Sequence, residues 1–422
     1  MGVQNLLPLL SAVSKRVSLT EFQGKRMAID GFVWLHRASF RCAKDLVNNP
    51  GTDKFLPYVM NLIQKIISYG ITPVVVFDGQ QLPQKKHTNQ KRHIERAEAR
   101  SKAIELESMG MSDQAYSFYQ KAVEITSATV FTWVQKLREN NIEYIVAPYE
   151  ADAELAYLCR TSYVDCVLTE DSDLLAYQTP VTLFKFDAAS MTVVMICYDD
   201  VLSHLGLTTD QFIGFCCYTG CDYIDHISKL GIQTALKLMR KYEDPFEILA
   251  TLKEGDKYEI PENFEEQLKK AIITYHCQRV FDPRTKTLQT LSPIDSPQDF
   301  IGPDMSSEML LQIVTCEIDT RTYAKLRPDP PTGPVSPYFK KRSTPNKAAL
   351  QSNIGSGAGQ SQNLALAMRL SKKIQEKENV REEKKSSSRF FEAYKSIEAD
   401  EKQSGIHRSG VRSYLHLHNV ET

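Results

Sequence analysis

Short apolar runs that end in carboxylates recur along the first half of this chain. The segment KRMAID ends in Asp30, PVVVFD ends in Asp78, and CVLTEDSD carries Asp171 and Asp173. Runs rich in Val, Ile and aromatic residues and bounded by polar residues are typical of buried strands. YIVAPYEAD likewise precedes two acids, and another apolar run precedes the acid of TGCDY. The pattern predicts several strands with an acid at the carboxyl end.

Segments with apolar residues at helical spacing lie between these predicted strands. FLPYVMNLIQKIISYG separates the first two strands and ends in Gly70, a residue suited to a helix C-cap. VFTWVQKLRENN then precedes IEYIVAP, and EADAELAYLCRT precedes CVLTED. This alternation predicts an α/β fold with a mostly parallel sheet, Rossmann-like or PIN-like, covered by helices.

Two helical regions interrupt or follow this alternation. Between residues 84 and about 138 the composition is helical, and the segment is too long for an ordinary loop, so we expect an inserted helical arch. After Asp222, three helical segments follow: GIQTALKLMRKY, DPFEILATLKEG and ENFEEQLKKAIITYHCQRVF. They predict a smaller helical subdomain attached to the sheet.

The chain of 422 residues divides by composition at about residue 325. Beyond RPDPPTGPVSP, Ser, Gly, Gln, Lys and Glu dominate, so we expect residues 326–422 to be a mostly disordered tail. That tail holds 17 Lys and Arg against 10 Asp and Glu, which leaves 34 against 42 in the first 325 residues. A net charge of −1 therefore conceals an acidic body and a basic tail.

Cysteine content and hydropathy restrict the class of protein further. Nine cysteines without a preceding basic and apolar leader predict free thiols in a reducing compartment. Cys216, Cys217 and Cys221 cluster without a completing histidine or second cysteine pair, so buried packing is favoured over zinc binding. No apolar stretch reaches the roughly 18 residues of a membrane span, and we expect no membrane partner.

The carboxylates suggest a metal site. The carboxyl ends of parallel strands meet at one edge of a sheet, where ligands bind. Like charges gathered there need compensation, and hard divalent cations such as Mg²⁺ or Mn²⁺ prefer oxygen ligands. Two such ions can activate a water and stabilise the leaving oxygen of a phosphodiester. The candidate ligands are Asp30, Asp78, Glu150, Asp152, Asp171, Asp173 and Asp222.

Simpler interpretations of some of these acids stay open at this point. Glu150 and Asp152 follow Pro148 and fall in the predicted first turn of a helix, where the helix dipole favours carboxylates without any metal. Asp171 and Asp173 also suit an ordinary polar loop. The metal hypothesis depends on all these segments converging.

A basic segment begins six residues after Asp78. QKKHTNQKRHIERAEARSK holds seven Lys and Arg against two Glu, and helical spacing places Lys85, Arg92, Arg96 and Arg100 near one face. A solvated surface helix is the simple alternative. Beside a metal site, Lys85 and Arg92 are candidates to hold a scissile phosphate and stabilise charge in the transition state.

Aromatic residues follow Asp30 directly. Phe32 and His36 are candidates to stack on bases at a frayed DNA end, as in proteins that bind single strands. Trp34 lies between them in sequence and is predicted to be core.

These motifs together resemble a known family. MGVQNLL, AIDGFVWLH, VVVFDGQQLPQKK, APYEADAELAYL, TEDSDLLAY and TGCDY, in this order, are similar to the flap-endonuclease, or XPG-type, superfamily of structure-specific 5′ nucleases. WLH after Asp30 and VFDPRTKTL favour its exonuclease 1 branch. The resemblance covers about residues 1–320.

The resemblance implies a domain plan and an activity. It implies a 5′ nuclease domain over 1–325, with an N-terminal region of about 1–100, an arch of about 84–138, an internal region of about 139–225 and a helical region of about 222–325. It implies 5′→3′ exonuclease and 5′-flap endonuclease activity on DNA, in repair in the nucleus, by a monomer. The seven acids would hold two Mg²⁺, with Mn²⁺ as the other candidate.

The resemblance also implies the roles of several other residues. Lys85 and Arg92 would engage the scissile phosphate, Arg96 would contact DNA, and Gly2 would lie near the site after removal of Met1. The segment from Asp222 through Ala235 would be a helix–two-turn–helix that holds duplex DNA with a bound K⁺.

Three departures from the family pattern affect these expectations. Lys229, Leu230 and Gly231 stand where the family has Gly-Ile-Gly, so Lys229 is a candidate to contact phosphate directly and Gly231 to approach the backbone. Phe32 replaces a usual Tyr, which keeps a stacking face. Asn5 stands where Gly is usual.

Two alternatives to an exonuclease stay open. One is a dedicated flap or junction endonuclease, and the other is a DNA-end-binding scaffold with weak catalysis. In the tail, SSSRFFEAY with Phe390 and Phe391 is similar to motifs that dock on mismatch-repair MutL proteins, and MutS homologues are a further expected partner.

Overall fold

One seven-stranded sheet forms the centre of the fold in the computed structural model, which describes residues 2–254 and 257–326. Its strands are β1 (Lys15–Ser18), β2 (Arg26–Asp30), β3 (Thr72–Phe77), β4 (Glu143–Val146), β5 (Cys166–Leu168), β6 (Val181–Asp187) and β7 (Thr192–Cys197). The order across the sheet is β1-β7-β6-β5-β2-β3-β4. Strands β2 to β6 run parallel, whereas β7 pairs antiparallel with both β6 and β1.

The predicted α/β class is confirmed, and the sheet is larger than predicted. The strands β1, β6 and β7, which extend the sheet beyond β5, were not expected. Their signal was present in the sequence, because VTLFKF and TVVMIC are β-rich runs on either side of the short turn DAAS. β2 lies in the middle of the sheet and pairs Asp30 with Val76 of β3, which brings both acidic strand ends to the same edge.

Helices cover both faces of this sheet and continue beyond it. They are α1 (Leu6–Leu9), α2 (Gly31–Ser39), α3 (Ala43–Asn48), α4 (Leu56–Ser68), α5 (Lys86–Ser108), α6 (Ser112–Ala122), α7 (Ser127–Glu139), α8 (Ala151–Arg160), α9 (Asp173–Ala176), α10 (Tyr198–Leu205), α11 (Thr209–Thr219), α12 (Ile232–Lys241), α13 (Pro245–Lys253), α14 (Phe264–Cys277) and α15 (Ser307–Val314). α4 follows its predicted pattern, with Val59, Ile63 and Ile66 buried and Gly70 at φ 72° after its end.

The insertion is the predicted helical arch. The long helix α5 and the shorter α6 pack against each other as a hairpin, and α6 packs against α3. α5 buries little apart from Ala99, Ala103 and Leu106, so most of its basic surface stays accessible. α7 then returns the chain to the sheet at β4.

The region after Asp222 needs one correction. Its three predicted helices correspond to α12, α13 and α14, but the last one was predicted to reach Phe281 and ends at Cys277. Residues beyond it form the hairpin of β8 (Arg279–Asp282) and β9 (Thr287–Thr290), followed by α15. Val280 and Phe281 are both buried, and because they are consecutive in β8, this strand is covered on both of its faces.

The predictions for the core are confirmed. Trp34 is buried against Phe186, with the ring centroids 6.1 Å apart. All nine cysteines are free thiols; Cys216 and Cys217 are buried as predicted, whereas Cys221 is only partly buried. Among the described residues, no helix combines the length and apolar character that crossing a bilayer requires.

Candidate active site

The carboxyl edge of the parallel strands collects the predicted acids. Asp30 ends β2 and caps α2: its Oδ1 accepts the amide of Val33 at 3.2 Å, and its Oδ2 accepts the Thr169 hydroxyl at 2.8 Å. Asp78 follows β3 and accepts the amide of Ala151 at 2.7 Å. Each acid is therefore fixed by the start of a helix or by a neighbouring strand end.

Glu150 and Asp152 reach the same edge through a close contact of two loops. The amide of Gly79 donates to the carbonyl of Tyr149 at 2.6 Å, directly before Glu150 caps α8. A Cβ on Gly79 would lie 1.8 Å from the carbonyl oxygen of Ala147, so only glycine permits this approach. The loops after β3 and β4 are thus held together with their acids side by side.

Asp171 and Asp173 complete the group from the loop after β5. The amide of Asp173 donates to Asp171 Oδ1 at 2.9 Å, while Asp173 is only 2% exposed. Asp173 Oδ1 is buried without a hydrogen-bond partner among the described residues. A buried carboxylate oxygen without a hydrogen-bond donor is better explained by a role as cation ligand than by a role as helix cap.

One cavity of about 610 Å³ opens above this edge. It brings together most of the predicted site residues that the structure describes, but Asp173, Lys229 and Gly231 do not line it. Those that line it are Gly2, Asp30, Phe32, His36, Asp78, Lys85, Arg92, Arg96, Glu150, Asp152, Asp171 and Asp222. The prediction that these distant segments converge is confirmed by the geometry; their roles as ligands stay predictions.

Four of the acids at this site, Asp30, Asp78, Asp152 and Asp173, have raised pKa values, so nearby cations compensate their charge only in part. Burial, and then the neighbouring Glu150, raise the pKa of Asp78 to about 7. Burial raises the pKa of Asp30 to about 6, with Asp171 adding to the effect. Burial and the charge of Asp171 also raise the pKa values of Asp152 and Asp173. A cation bound beside these carboxyl groups would stabilise their ionised forms and so lower their pKa values.

Lys85 is the cation nearest to these acids. It is 5% exposed, its ammonium pairs with Glu150, and it lies 3.1 Å from Asp222 Oδ2. The Tyr223 ring lies 5.0 Å from the same nitrogen. Although burial opposes it, Glu150 and Asp222 raise the pKa of Lys85, so the amine stays charged. Lys85 precedes α5 in a 3₁₀ turn, Pro83–Lys85, and so is not on the helical face predicted for it.

The arginines of α5 line the same cavity. Arg92 pairs with Asp222 at 3.2 Å and is about half exposed. Burial opposes it, yet Lys85 and Arg92 together lower the pKa of Asp222. Burial and then Arg96 and Arg92 lower the pKa of His36 to about 4, so its ring is neutral at physiological pH. Arg100 is exposed and does not line the cavity, unlike the predicted basic face.

The acids are gathered but not yet arranged around one ion. Within residues 2–254 and 257–326, no three His, Cys, Asp or Glu side chains have the spacing of a single ligand set. Lys85 lies among them and neutralises Glu150 and Asp222. The side chains that could act as donors all offer carboxylate oxygens, and this donor chemistry fits a hard divalent ion.

Gly2 lies directly against the acids. Its φ is 82°, and a Cβ there would meet Asp171 Oδ1 at 2.2 Å and the Asp173 amide at 2.7 Å. Any side chain at this position would displace the acidic loop. Asn5, which replaces a usual glycine, adopts φ 58°, a conformation that asparagine tolerates.

The predicted duplex-binding segment, Asp222 through Ala235, contains two tight turns and the start of α12, whereas the helix before the turns, α11, ends at Thr219, ahead of the predicted segment. The turns are closed by the Ile224 amide on the Cys221 carbonyl and the Leu230 amide on the Ile227 carbonyl. Lys229 is exposed at φ 67°, and the exposed Gly231 caps α12. Lys229 therefore occupies the left-handed conformation that glycine would adopt in the family pattern, and it does not line the cavity.

Sequence reasoning missed several residues that share the cavity. Gln80 follows the Asp78 strand end, while Glu124 and Arg321 come from the end of the arch and from the segment after α15. No motif marks Arg321, which is 243 positions beyond Asp78 in the chain. Phe390 and Phe391, the candidate docking residues, lie outside the described residues.

A buried acid on α8 gives a prediction about pH. Burial raises the pKa of Glu154 from 4.5 to about 8; its Oε2 accepts the Phe281 amide at 2.7 Å, and its Oε1 has no hydrogen-bond partner in the described part of the chain. The folded state therefore retains a proton that the unfolded chain releases, and stability falls as pH rises from about 4.5 to about 8. Glu154→Gln should abolish this fall, making the variant more stable near pH 8 by on the order of 3 kcal/mol.

Urea unfolding at several pH values measures this effect. The exposed Glu21, changed to Gln, is the matched control and should leave the profile of the wild type unchanged. Parallel profiles for Glu154→Gln and the wild type would contradict the assignment.

The fold and the site together define a class of protein: an α/β body with an acidic strand edge beneath a basic helical arch, suited to binding phosphate esters. Comparison with family models matches the XPG N-terminal domain over residues 1–99 and the XPG I-region over 141–222. The unmatched stretch between them coincides with most of the arch.

Two curated relatives extend these matches. Exodeoxyribonuclease 1 of Schizosaccharomyces pombe is 35% identical over 322 residues, which is 74% of this chain and 56% of that protein. The DNA damage-inducible protein DIN7 of Saccharomyces cerevisiae is 35% identical over 300 residues, 70% of each chain. The chain belongs to the XPG-type structure-specific nuclease family, on its exonuclease 1 branch.

The relatives are mostly longer than the matched region. The chain spans about half the length of the first curated relatives, with 56%, 45% and 49% of the proteins from S. pombe, Arabidopsis thaliana and Xenopus laevis.

Among solved structures, the catalytic core of Rad2 in complex with DNA substrate has a TM-score of 0.48 and 22% identity, over 67% of this chain and 81% of that one.

Proposed function

We propose that this chain is a metal-dependent 5′→3′ exonuclease of double-stranded DNA that also cuts 5′ flaps and releases 5′-phosphomonoesters. The observation that carries this proposal is the cavity in which acids from four parallel strand ends meet the basic residues at the start of α5. The names of the relatives, exodeoxyribonuclease 1 and exonuclease 1, support the same reaction.

The acids are proposed to hold two divalent ions, Mg²⁺ or Mn²⁺. Asp30, Asp78, Glu150, Asp152, Asp171, Asp173 and Asp222 are the proposed ligands. When bound, such ions supply Lewis acidity that activates water and offsets the charge of a phosphodiester. A bound cation would stabilise the ionised forms of Asp30 and Asp78, whose pKa values are raised. It would also give a ligand contact to Asp173 Oδ1, which has no hydrogen-bond partner among the described residues.

Lys85 and Arg92 are proposed to exchange carboxylate partners for the scissile phosphate. Arg92 is about half exposed, and an exposed ion pair of this kind contributes only about 0–1 kcal/mol, so its exchange is easy. Lys85 is more tightly held, and its release from Glu150 and Asp222 frees those acids for metal. In the bound state, the phosphate would pair with Lys85 and Arg92, and the metal ions would neutralise Glu150 and Asp222.

Phe32 and the uncharged ring of His36 are proposed to stack on unpaired bases at the mouth of the cavity. A neutral imidazole stacks without burying a charge, which its lowered pKa favours. Fraying a terminal base pair costs a few kcal/mol, which favours ends and junctions over continuous duplex.

The turns between α11 and α12 are proposed to grip the uncut duplex, with K⁺ as a candidate ion. Within the described residues Lys229 takes part in none of the ion pairs, so it is available to a phosphate. We expect Lys229→Ala to weaken duplex binding and to reduce the slope of log K against log salt by about 1. Binding titrations at several salt concentrations measure this slope, with the exposed Lys136→Ala as control; an unchanged slope would argue against the contact.

A single gel experiment tests the proposed reaction. The purified protein is incubated with a duplex carrying a recessed 5′ end and with a 5′-flapped duplex, in Mg²⁺ and in EDTA. Stepwise release of mononucleotides in Mg²⁺ alone supports the exonuclease. Only flap-length products would favour the dedicated endonuclease, and binding without products would favour the end-binding scaffold.

The setting is proposed to be DNA repair in the nucleus. The family assignment supports this, and the basic cluster KKR at 340–342 is compatible with a nuclear address. Docking of MutL or MutS homologues through Phe390 and Phe391 remains a prediction, as does a monomeric state.

A further inference from the structure

A short hairpin after α15 forms part of the cavity wall and has no assigned role. Its ends are joined by an antiparallel bridge between Ile318 and Lys325. Asp319 fixes the turn, since its Oδ1 accepts the amides of Arg321 at 2.9 Å and Thr322 at 2.8 Å. Ile318 is 5% exposed and anchors the hairpin in the core. The tip that carries Arg321 is therefore held in place.

This hairpin spans from the acidic edge to the base of the arch. On one side the Tyr323 hydroxyl accepts a hydrogen bond from Gln80 Nε2 at 3.2 Å, two residues beyond Asp78. On the other side Arg321 Nη1 pairs with Glu124 Oε1 at 2.7 Å, between α6 and α7. Thr320 and Arg321 line the cavity together with Asp78 and His36.

Glu124 holds two guanidinium groups at one point. Arg96 Nη1 lies 3.7 Å from the same Oε1 that Arg321 contacts. Two cations therefore share one carboxylate, so this group of three side chains in the cavity lining carries a net positive charge. Arg321 is 47% exposed, so its pair with Glu124 is weak and open to exchange.

We propose that Arg321, with Arg96, binds a phosphate of the unpaired 5′ strand as that strand leaves the cavity, and that Glu124 occupies the place of this phosphate in the free protein. Arginine presents a planar fork that suits phosphate oxygens, and a phosphodiester would satisfy both guanidinium groups better than one shared carboxylate. The proposal rests on the proposed nuclease function, because it names where the substrate's single strand runs.

Two substitutions with opposite expected effects test the assignment. Binding is measured by fluorescence anisotropy in EDTA, with a duplex carrying a ten-nucleotide 5′ flap and the same duplex with a blunt end. Arg321→Ala should weaken binding of the flapped duplex roughly fivefold and lower its salt slope by about 0.7, with little change for the blunt duplex. Glu124→Gln should strengthen binding of the flapped duplex, because it frees both arginines.

The controls separate this contact from a structural role. Arg321→Lys should recover part of the affinity, and Arg16→Ala, on the edge strand β1 outside the cavity, should change nothing. Equal losses for Arg321→Ala and Glu124→Gln, or equal losses on flapped and blunt DNA, would overturn the proposal. If the wild type bound neither duplex, the proposed nuclease function itself would fail instead.

Discussion

Asp171→Asn is expected to abolish Mg²⁺-dependent cleavage while DNA binding persists, and to make the metal-free protein more stable. Asp171 adds to the raised pKa values of Asp30, Asp152 and Asp173, so it is at the centre of the mutual repulsion. Asparagine keeps an oxygen that can accept the Asp173 amide but removes the charge. We expect a rate loss of at least about a hundredfold, since one electrostatic contributor to the reaction is lost.

The accompanying gain in stability should be on the order of 1 kcal/mol in EDTA, because like charges within one cavity repel. Added Mg²⁺ should stabilise the wild type more than the variant and so reduce this gain. Thermal unfolding with and without Mg²⁺, alongside the cleavage assay, measures both effects. Asp200→Asn is the control, since Asp200 is about half exposed and pairs only with Lys15 at 3.4 Å among the described ion pairs. Undiminished cleavage by Asp171→Asn would exclude the proposed metal role.

Lys85→Met is expected to have the opposite effect on the metal-free protein. The lysine is buried and neutralises Glu150 and Asp222, so its loss leaves buried carboxylates without their partner. Breaking such a pair costs about 3–5 kcal/mol, and methionine keeps most of the side-chain volume. We therefore expect a clear loss of stability in EDTA, measured by urea unfolding.

Divalent ions should restore much of the folding stability that the Lys85→Met variant loses in EDTA. The lysine and the ions compete for the same carboxylates, so the variant should gain more stability from Mg²⁺ than the wild type does and should bind the ion more tightly. Isothermal titration with Mg²⁺ measures this without any substrate. Arg92→Ala is the matched comparison, because its exposed pair with Asp222 should cost at most about 1 kcal/mol. A variant as stable as the wild type in EDTA would show that Lys85 is not the internal counter-charge.

The acidic edge was predictable because it follows from local pattern alone. A buried strand is recognisable from its apolar run, and the residue after it lies at the sheet edge whichever strands are neighbours. Asp30, Asp78 and Asp171 could thus be brought together without knowing the order of the strands. Trp34, predicted to be core because it lies between the two candidate stacking residues in sequence, is buried as expected.

The counter-charges and the hairpin depended on information that local pattern does not contain. Lys85 was recognised as basic, yet its pairing with Glu150 and Asp222 depends on how the first turn of the arch enters the cavity. Arg321 reaches Glu124 across 197 positions of chain, through a turn whose sequence resembles any polar loop. The strands β6 and β7 differ from these features, because their β-rich runs are a local signal that the sequence itself contains.

The contact of Gly2 with Asp171 has a practical consequence for anyone producing this protein. Residues fused ahead of Gly2 would start within a few ångströms of the acidic loop, where an affinity tag or a linker scar would crowd the pocket. An affinity tag is therefore better placed at the C-terminal end. If protein that keeps extra N-terminal residues after tag cleavage is inactive, the assay should be repeated with protein that lacks them.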